Sequence, residues 1–147
     1  MNDLRIMFKK CSKYAVVPSY ARLGDAACDL HSTEDVTIGP GERVLVGTGL
    51  KVAIPMGFEG QIRPRSGNAW KRGLTVINTP GTIDSGYRGE IKIALVNLSR
   101  TTAAIKRGDA IAQMKFSQVF TGHFIETEYL DETERGEGGF GHTDKSE

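Results

Sequence analysis

Gly81-Thr82-Ile83-Asp84-Ser85-Gly86-Tyr87-Arg88-Gly89-Glu90-Ile91 separates two runs with strand character. Ahead of it, Gly73 to Asn78 (Gly-Leu-Thr-Val-Ile-Asn) is rich in β-branched residues. Behind it, Glu90 to Asn97 alternates, with Ile91, Ile93 and Leu95 on one face and Lys92, Ala94 and Val96 on the other. That is the period-two pattern of a half-buried strand. Two strands joined by a glycine-containing connection predict a β-hairpin with one carboxylate, Asp84, and one tyrosine, Tyr87, near its tip. A carboxylate fixed by a ladder on both sides and still open to a ligand has the geometry a general base needs. The same residues also make an ordinary hairpin turn with a solvated Asp. Only the rest of the chain separates the two.

Working outward, short strands recur. Leu4, Ile6 and Phe8 alternate with Arg5, Met7 and Lys9. Val36–Ile38, Arg43–Gly47, Leu50–Ile54 and Gln61–Arg63 follow, each closed by glycine or proline within a few residues. Ala103–Ile105, Ala110–Phe116 and Phe124–Leu130 are the later candidates. Only Asn68 to Arg72 leaves room for a turn or two of helix, and no window has a long helical period. Short strands with turn signals about every ten residues predict an all-β sandwich or barrel.

The 147 residues suit one domain with a real core. Hydrophobic content of 39% and charged content of 25% are those of a globular protein. A net charge of +1 gives no global field to attract a nucleic acid or an acidic membrane surface, so neither is expected as a partner. No run is long enough to cross a membrane, and Met1-Asn2-Asp3-Leu4-Arg5 does not resemble a signal peptide. Cys11 and Cys28 have no metal-ligand spacing, which points to a reduced cytoplasm with both as small, largely buried residues. The lone Trp70 is expected to pack. From Asp131 the composition turns glycine-rich and charged. We therefore expect a single β domain over residues 1–130 and a flexible C-terminal tail over residues 131–147.

Three further places offer chemistry. Asp29 sits among small and apolar residues in Ala26-Ala27-Cys28-Asp29-Leu30 and needs partners, from a neighbouring turn or from a ligand. Arg65-Ser66-Gly67 combines a guanidinium, a hydroxyl and an unobstructed N–H at the start of the short helical stretch, a combination that suits phosphate and also makes a common turn. The tail carries Arg135, several glycines and the lone aromatic Phe140, groups that can wrap a phosphate and stack on a base. Together with the Asp84 hairpin they suggest a nucleotide with several phosphates and a metal ion. Arg107-Gly108-Asp109 matches an adhesion tripeptide but fits a plain turn. His31, His123 and His142 form no zinc pattern. Neither Ser66 nor Cys28 lies in a nucleophile signature.

Five stretches, taken in order, resemble the five motifs of the trimeric dUTP pyrophosphatases (dUTPases), in a form similar to the bacterial ones. They are Ala26–Ser32, Pro64–Gly73, Gly81–Ile91, Arg107–Phe116 and Arg135–Thr143. The resemblance implies a jelly-roll subunit, a homotrimer with three sites at subunit interfaces, and Mg²⁺-dependent hydrolysis of dUTP to dUMP and pyrophosphate. It implies that Asp84 orients and deprotonates the attacking water. Asn78 and hairpin backbone groups from Thr82, Ile83 and Lys92 would read uracil, and Tyr87 would pack on the deoxyribose. Arg65, Ser66, Gly67 and Gln113 would hold phosphates, with Asp29 ordering water around the metal. The tail would close over the nucleotide, with Arg135 at the γ-phosphate, Phe140 on uracil, and Gly141 beside it. Ala27 departs from a usual glycine, and Ala110 from a frequent arginine. Two other readings keep the fold: a dCTP deaminase, which needs a Glu base acting at C4 of cytosine, and a jelly-roll binding module without turnover.

Overall fold

The computed structural model describes residues 3–140. Eleven strands and one helix run along them: β1 (Met7–Lys10), β2 (Cys28–His31), β3 (Val36–Ile38), β4 (Arg43–Gly47), β5 (Leu50–Ala53), β6 (Phe58–Arg63), α1 (Ser66–Arg72), β7 (Leu74–Val76), β8 (Gly81–Ile83), β9 (Lys92–Asn97), β10 (Ala103–Ile105) and β11 (Ala110–Gln118). Two larger antiparallel sheets, ordered β2-β11-β6-β8 and β4-β9-β7, are joined by the pairs β1-β5 and β10-β3. This is the all-β, jelly-roll arrangement with one short helix.

Alternation along the strands builds the core. Leu30, Ile62 and Met114 from the first sheet pack with Val46, Leu74, Val76, Ile93 and Leu95 from the second. Each fully buried Ile or Leu contributes about 1.5–3 kcal/mol relative to exposure. Asn97 is buried among them, and its amide donates to the carbonyls of Ile38 and Thr101 at 2.9 and 2.8 Å. A buried amide without such partners would be costly. Gly73 ends α1 in the left-handed conformation (φ 64°), its N–H returning to the Ala69 carbonyl, and a Cβ there would lie 2.7 Å from the Ser99 amide nitrogen. Both the turn and the packing therefore require glycine.

The hairpin is more elaborate than an alternating pattern implies. β7 and β9 do pair, with Leu74 opposite Asn97 and Val76 opposite Leu95. Their connection, however, crosses to the other sheet, where β8 pairs with β6 and sets Gly81 against Ile62 and Ile83 against Gly60. Asp84 therefore leaves the end of a strand in one sheet while Lys92 starts a strand in the other.

Several sequence expectations change. The first strand starts later, at Met7 rather than Leu4, and its residues are exposed. Phe124–Leu130 forms no strand: every residue from 119 to 137 is exposed and finds no ladder within its own chain. Trp70 does not pack, being 90% exposed on α1, which buries no residue. Cys11 is exposed, whereas Cys28 is buried, its Sγ 3.5 Å from the Met114 carbonyl. Burial pushes the Cys28 thiol up, so it stays a neutral, inert packing group. No helix among the described residues is long and apolar enough to cross a membrane.

Candidate active site

Strand register assembles the first cluster. β11 is the shared neighbour of β2 and β6, so Gln113 stands opposite Asp29 on one side and Arg63 on the other. Cross-strand neighbours project to the same face, which sets the three polar side chains in one row. Arg65 caps α1 with extended backbone (φ −89°, ψ 132°), and its guanidinium turns back to that row. Its Nε donates to Asp29 Oδ1 at 3.0 Å, and Nη1 lies 3.4 Å from the Ala110 carbonyl. Asn68 Nδ2 donates to the same carbonyl at 2.9 Å, and Gln113 Nε2 to the Pro64 carbonyl at 2.8 Å. Ala110 thus contributes through its backbone, at a point where the β2–β11 register shifts.

Asp29, Arg65, Asn68 and Gln113 line a cleft of about 750 Å³ with Ser66, Gly67, Arg22, Arg63, Lys115 and Asp25. Nothing lies within 4 Å of a Cβ built on Gly67, so the glycine satisfies no neighbour in this chain and leaves open space at the cleft. Cations outnumber carboxylates, with Arg22, Arg63, Arg65 and Lys115 against Asp25 and Asp29, and Asp29 is already engaged by Arg65. Such a set suits a polyanion. Arg63 lies outside the motifs, and Lys115 and Asn68 lie inside them without an expected role; the cleft adds all three. The signal was present in the alternation of β6 and β11, which puts Arg63, Gln113 and Lys115 on one side.

The second cluster is the hairpin cleft, about 740 Å³, lined by Asn78, Thr82, Ile83, Asp84, Tyr87, Glu90, Lys92 and Cys11 among others. Here the backbone carries much of the geometry. The Tyr87 N–H closes the turn onto the Asp84 carbonyl at 3.0 Å. The Tyr87 hydroxyl donates to the Glu90 carbonyl at 2.9 Å, and its ring lies so close over Gly89 that a Cβ there would fall 2.5 Å from the phenol carbon. Asn78 lies over Gly81, its Nδ2 at 3.1 Å from where a Cβ would be. Asp84 is exposed, and no hydrogen bond engages its carboxylate among the described residues. A carboxylate so placed has its oxygens open to a ligand or to water.

The two clefts share no lining residue. Nor do the described tail residues, 131–140, line either one. Arg135 Nε bonds the Gly138 carbonyl at 2.9 Å in a local turn, and Phe140 is fully exposed. Gly141 lies outside the described residues. Arg107-Gly108-Asp109 is the plain turn expected: Asp109 Oδ2 accepts the Lys106 N–H at 2.9 Å, and Arg107 stacks on Tyr14 at 4.0 Å. Among the described residues, no three His, Cys, Asp or Glu side chains converge as a metal cage.

Comparison with known proteins bears on what these clefts serve. A family model described as dUTPase matches residues 13–144. A protein of Nautilia profundicola named deoxyuridine 5'-triphosphate nucleotidohydrolase is 53% identical over 142 residues, covering 97% of this chain and all of that one. Its namesake from Nocardia farcinica is 58% identical over 126 residues, or 85% of this chain and 76% of that one. Among solved structures, a Staphylococcus bacteriophage 80alpha dUTPase variant with dUpNHpp superposes with a TM-score of 0.88 at 27% identity, covering 95% and 98% of the two chains. A phage phi11 dUTPase variant, described as coordinating a structural Mg(II) ion, superposes with a TM-score of 0.80 at 27% identity over 87% and 99%. The motifs, the fold and these relatives agree, and the chain belongs to the dUTPase family.

Proposed function

We propose that the protein hydrolyses dUTP to dUMP and pyrophosphate, with Asp84 as the general base. The observation that carries this reading is the pairing of an unengaged carboxylate beside a backbone-built cleft with a separate, side-chain-built cationic cleft. In the reaction, a water oxygen forms a bond to the α-phosphorus while the bond from that phosphorus to the bridging oxygen breaks. Pyrophosphate takes the electron pair, and the Asp84 carboxylate takes the water proton. Arg65, Ser66, Gly67 and Gln113 bind the phosphates, with the guanidinium held in position by Asp29. Asn78 and backbone groups of Thr82, Ile83 and Lys92 read the uracil edge, and the Tyr87 ring packs on the deoxyribose. Cytosine's amino group would leave buried polar groups mismatched, a strong basis for rejection. Residues 131–147 act as a closing tail after a β domain of 1–130, with Arg135, Phe140 and Gly141 covering the nucleotide and excluding water.

The donor set fits Mg²⁺ only in one manner. One Asp29 oxygen is taken by Arg65, and no carboxylate cage surrounds it. A magnesium ion held mainly by the triphosphate, with Asp29 reached through a water, suits such a site, since Mg²⁺ keeps several of its waters. When bound, the ion supplies charge neutralisation on the phosphates.

A homotrimer with sites at subunit interfaces is part of the same proposal. Two observations support it: the clefts for base and phosphates do not meet within one chain, and Phe120, Phe124, Ile125, Tyr129 and Leu130 are between 81% and 103% exposed. Apolar side chains in that number are expected to pack against other copies. We place the enzyme in the cytoplasm, where the exposed Cys11 would stay reduced.

The deciding experiment is a nucleotide panel of dUTP, dCTP, dTTP and UTP with Mg²⁺, assayed for pyrophosphate and ammonia. Pyrophosphate from dUTP alone is expected. Ammonia from dCTP would favour the deaminase, and binding without any product would favour a non-catalytic module.

A further inference from the structure

Glu90 lines the hairpin cleft, yet its own chemistry is spent on the protein. Its Oε1 accepts the Gly49 N–H at 2.8 Å, across from the turn between β4 and β5. Its main-chain carbonyl accepts the Tyr87 hydroxyl at 2.9 Å. The carboxylate passes so close over Gly47 that a Cβ there would lie 2.7 Å from Oε1. Gly49 in turn holds the opposite lip, since its carbonyl accepts the Cys11 N–H at 2.8 Å, and Cys11 lines the same cleft. One residue therefore joins the aromatic wall of the cleft to its far lip through two hydrogen bonds, one from each end of itself.

We propose that Glu90 is a positioning residue that sets the Tyr87 ring and thereby the discrimination between deoxyribo- and ribonucleotides. The proposal rests on reading this cleft as the base and sugar site. The side-chain bond to Gly49 fixes where the Glu90 backbone sits, the backbone carbonyl fixes the Tyr87 hydroxyl, and the ring can then neither tilt nor retreat. A ring free to retreat would make room for a 2′-hydroxyl. A rival role is electrostatic: Glu90 Oε2 stands 4.0 Å from Lys92 Nζ, so the negative charge itself could tune the cleft. A second rival is plain hairpin stability, which Thr48 also serves, its Oγ1 donating to the Ile91 carbonyl at 2.7 Å.

Three variants separate these roles: Glu90→Gln keeps the length and an acceptor oxygen but loses the charge, Glu90→Asp keeps the charge but cannot reach Gly49, and Thr48→Val removes the neighbouring hydroxyl with its bonds to the Ile91 carbonyl and the Leu50 N–H. Steady-state kinetics with dUTP and UTP, together with thermal midpoints, provide the readout. We expect Glu90→Gln to match the wild type within about twofold. Glu90→Asp should raise KM for dUTP about tenfold and cut the dUTP-over-UTP preference about tenfold, the scale of one lost hydrogen bond, with kcat nearly unchanged. Thr48→Val should lower the thermal midpoint and leave the preference intact. A normal Glu90→Asp with an impaired Glu90→Gln would assign the effect to charge and overturn the proposal, as would an equal loss of preference in Thr48→Val. If wild-type protein does not turn over dUTP, the reading of the cleft fails instead. Hydrogen exchange at the Gly49 amide then judges the tether: equal protection in wild type and Glu90→Asp would refute it.

Discussion

The two clefts are built in opposite ways. Around Arg65 the geometry is side chain on side chain and side chain on carbonyl: Arg65 to Asp29, Asn68 to Ala110, Gln113 to Pro64. Around Asp84 it is largely backbone, with a turn closed on the Asp84 carbonyl and a tyrosine tied to the Glu90 carbonyl. A charged group that must hold a mobile polyanion gains from being pre-positioned by partners. A base that must accept a proton gains from having its lone pairs unoccupied. If the Arg65 cleft anchors the phosphates and the Asp84 cleft holds the base, as proposed, the two should respond to substitution in different kinetic terms.

Asp84→Asn should break the contrast most sharply. The amide keeps the shape and loses basicity, so kcat should fall by about 10³-fold or more, within the range of general-base removal. Binding of dUTP should hold or tighten, because a carboxylate facing a polyanion has been neutralised. Rapid-quench turnover alongside equilibrium binding of a non-hydrolysable analogue measures both, and near-normal turnover would remove Asp84 as the base. Deleting residues 135–147 comes next. Turnover should drop about 100-fold, as expected for a misplaced or solvent-exposed reacting centre. Analytical ultracentrifugation should still give the oligomer of the full chain, and unchanged kinetics would end the closing-tail idea. Arg65→Lys should act on the other side of the contrast. A lysine cannot reproduce the bonds of Nε to Asp29 and Nη1 to Ala110 at once, so KM should rise about tenfold with kcat less affected.

Much of this is legible in the sequence, for particular reasons. Alternation from Glu90 to Asn97 was readable because one face is buried, as Ile91, Ile93 and Leu95 are. The α1 boundary was readable because glycine marks its end. Asp84, Arg65 and Gln113 were singled out by motif, and each lies in one of the two clefts. What the motifs hid was non-local. That β8 leaves its hairpin to pair with β6 depends on a partner some twenty residues earlier, which no local pattern encodes. That Phe124–Leu130 finds no strand partner, and that Trp70 stands exposed, follow from what surface one chain can offer. In the sequence Glu90 is legible as a motif position at the start of a strand, with no role of its own. Its bond to Gly49 spans 41 positions, too far for spacing to reveal.

The smallest and most discriminating expectation concerns Asp29, which lines the Arg65 cleft. Its ion pair with Arg65 leaves the side chains 38% and 33% exposed, for arginine and aspartate respectively. Screening by water at that exposure limits the pair to under about 1 kcal/mol of stability. Asp29→Asn retains an oxygen at the position of Oδ1, so the bond from Arg65 Nε survives in weaker, neutral form. The thermal midpoint should therefore shift by only a few degrees or less. If Asp29 merely positioned Arg65, KM for dUTP would rise slightly at every Mg²⁺ concentration. If it also orders water around the ion, the Mg²⁺ concentration for half-maximal rate should rise severalfold, and saturating Mg²⁺ should recover most of the loss, because the missing charge weakens ion binding rather than the step itself. A Mg²⁺ titration at fixed dUTP separates these two outcomes. A half-maximal concentration identical to the wild type's would confine Asp29 to the anchoring cleft as a partner of Arg65 alone.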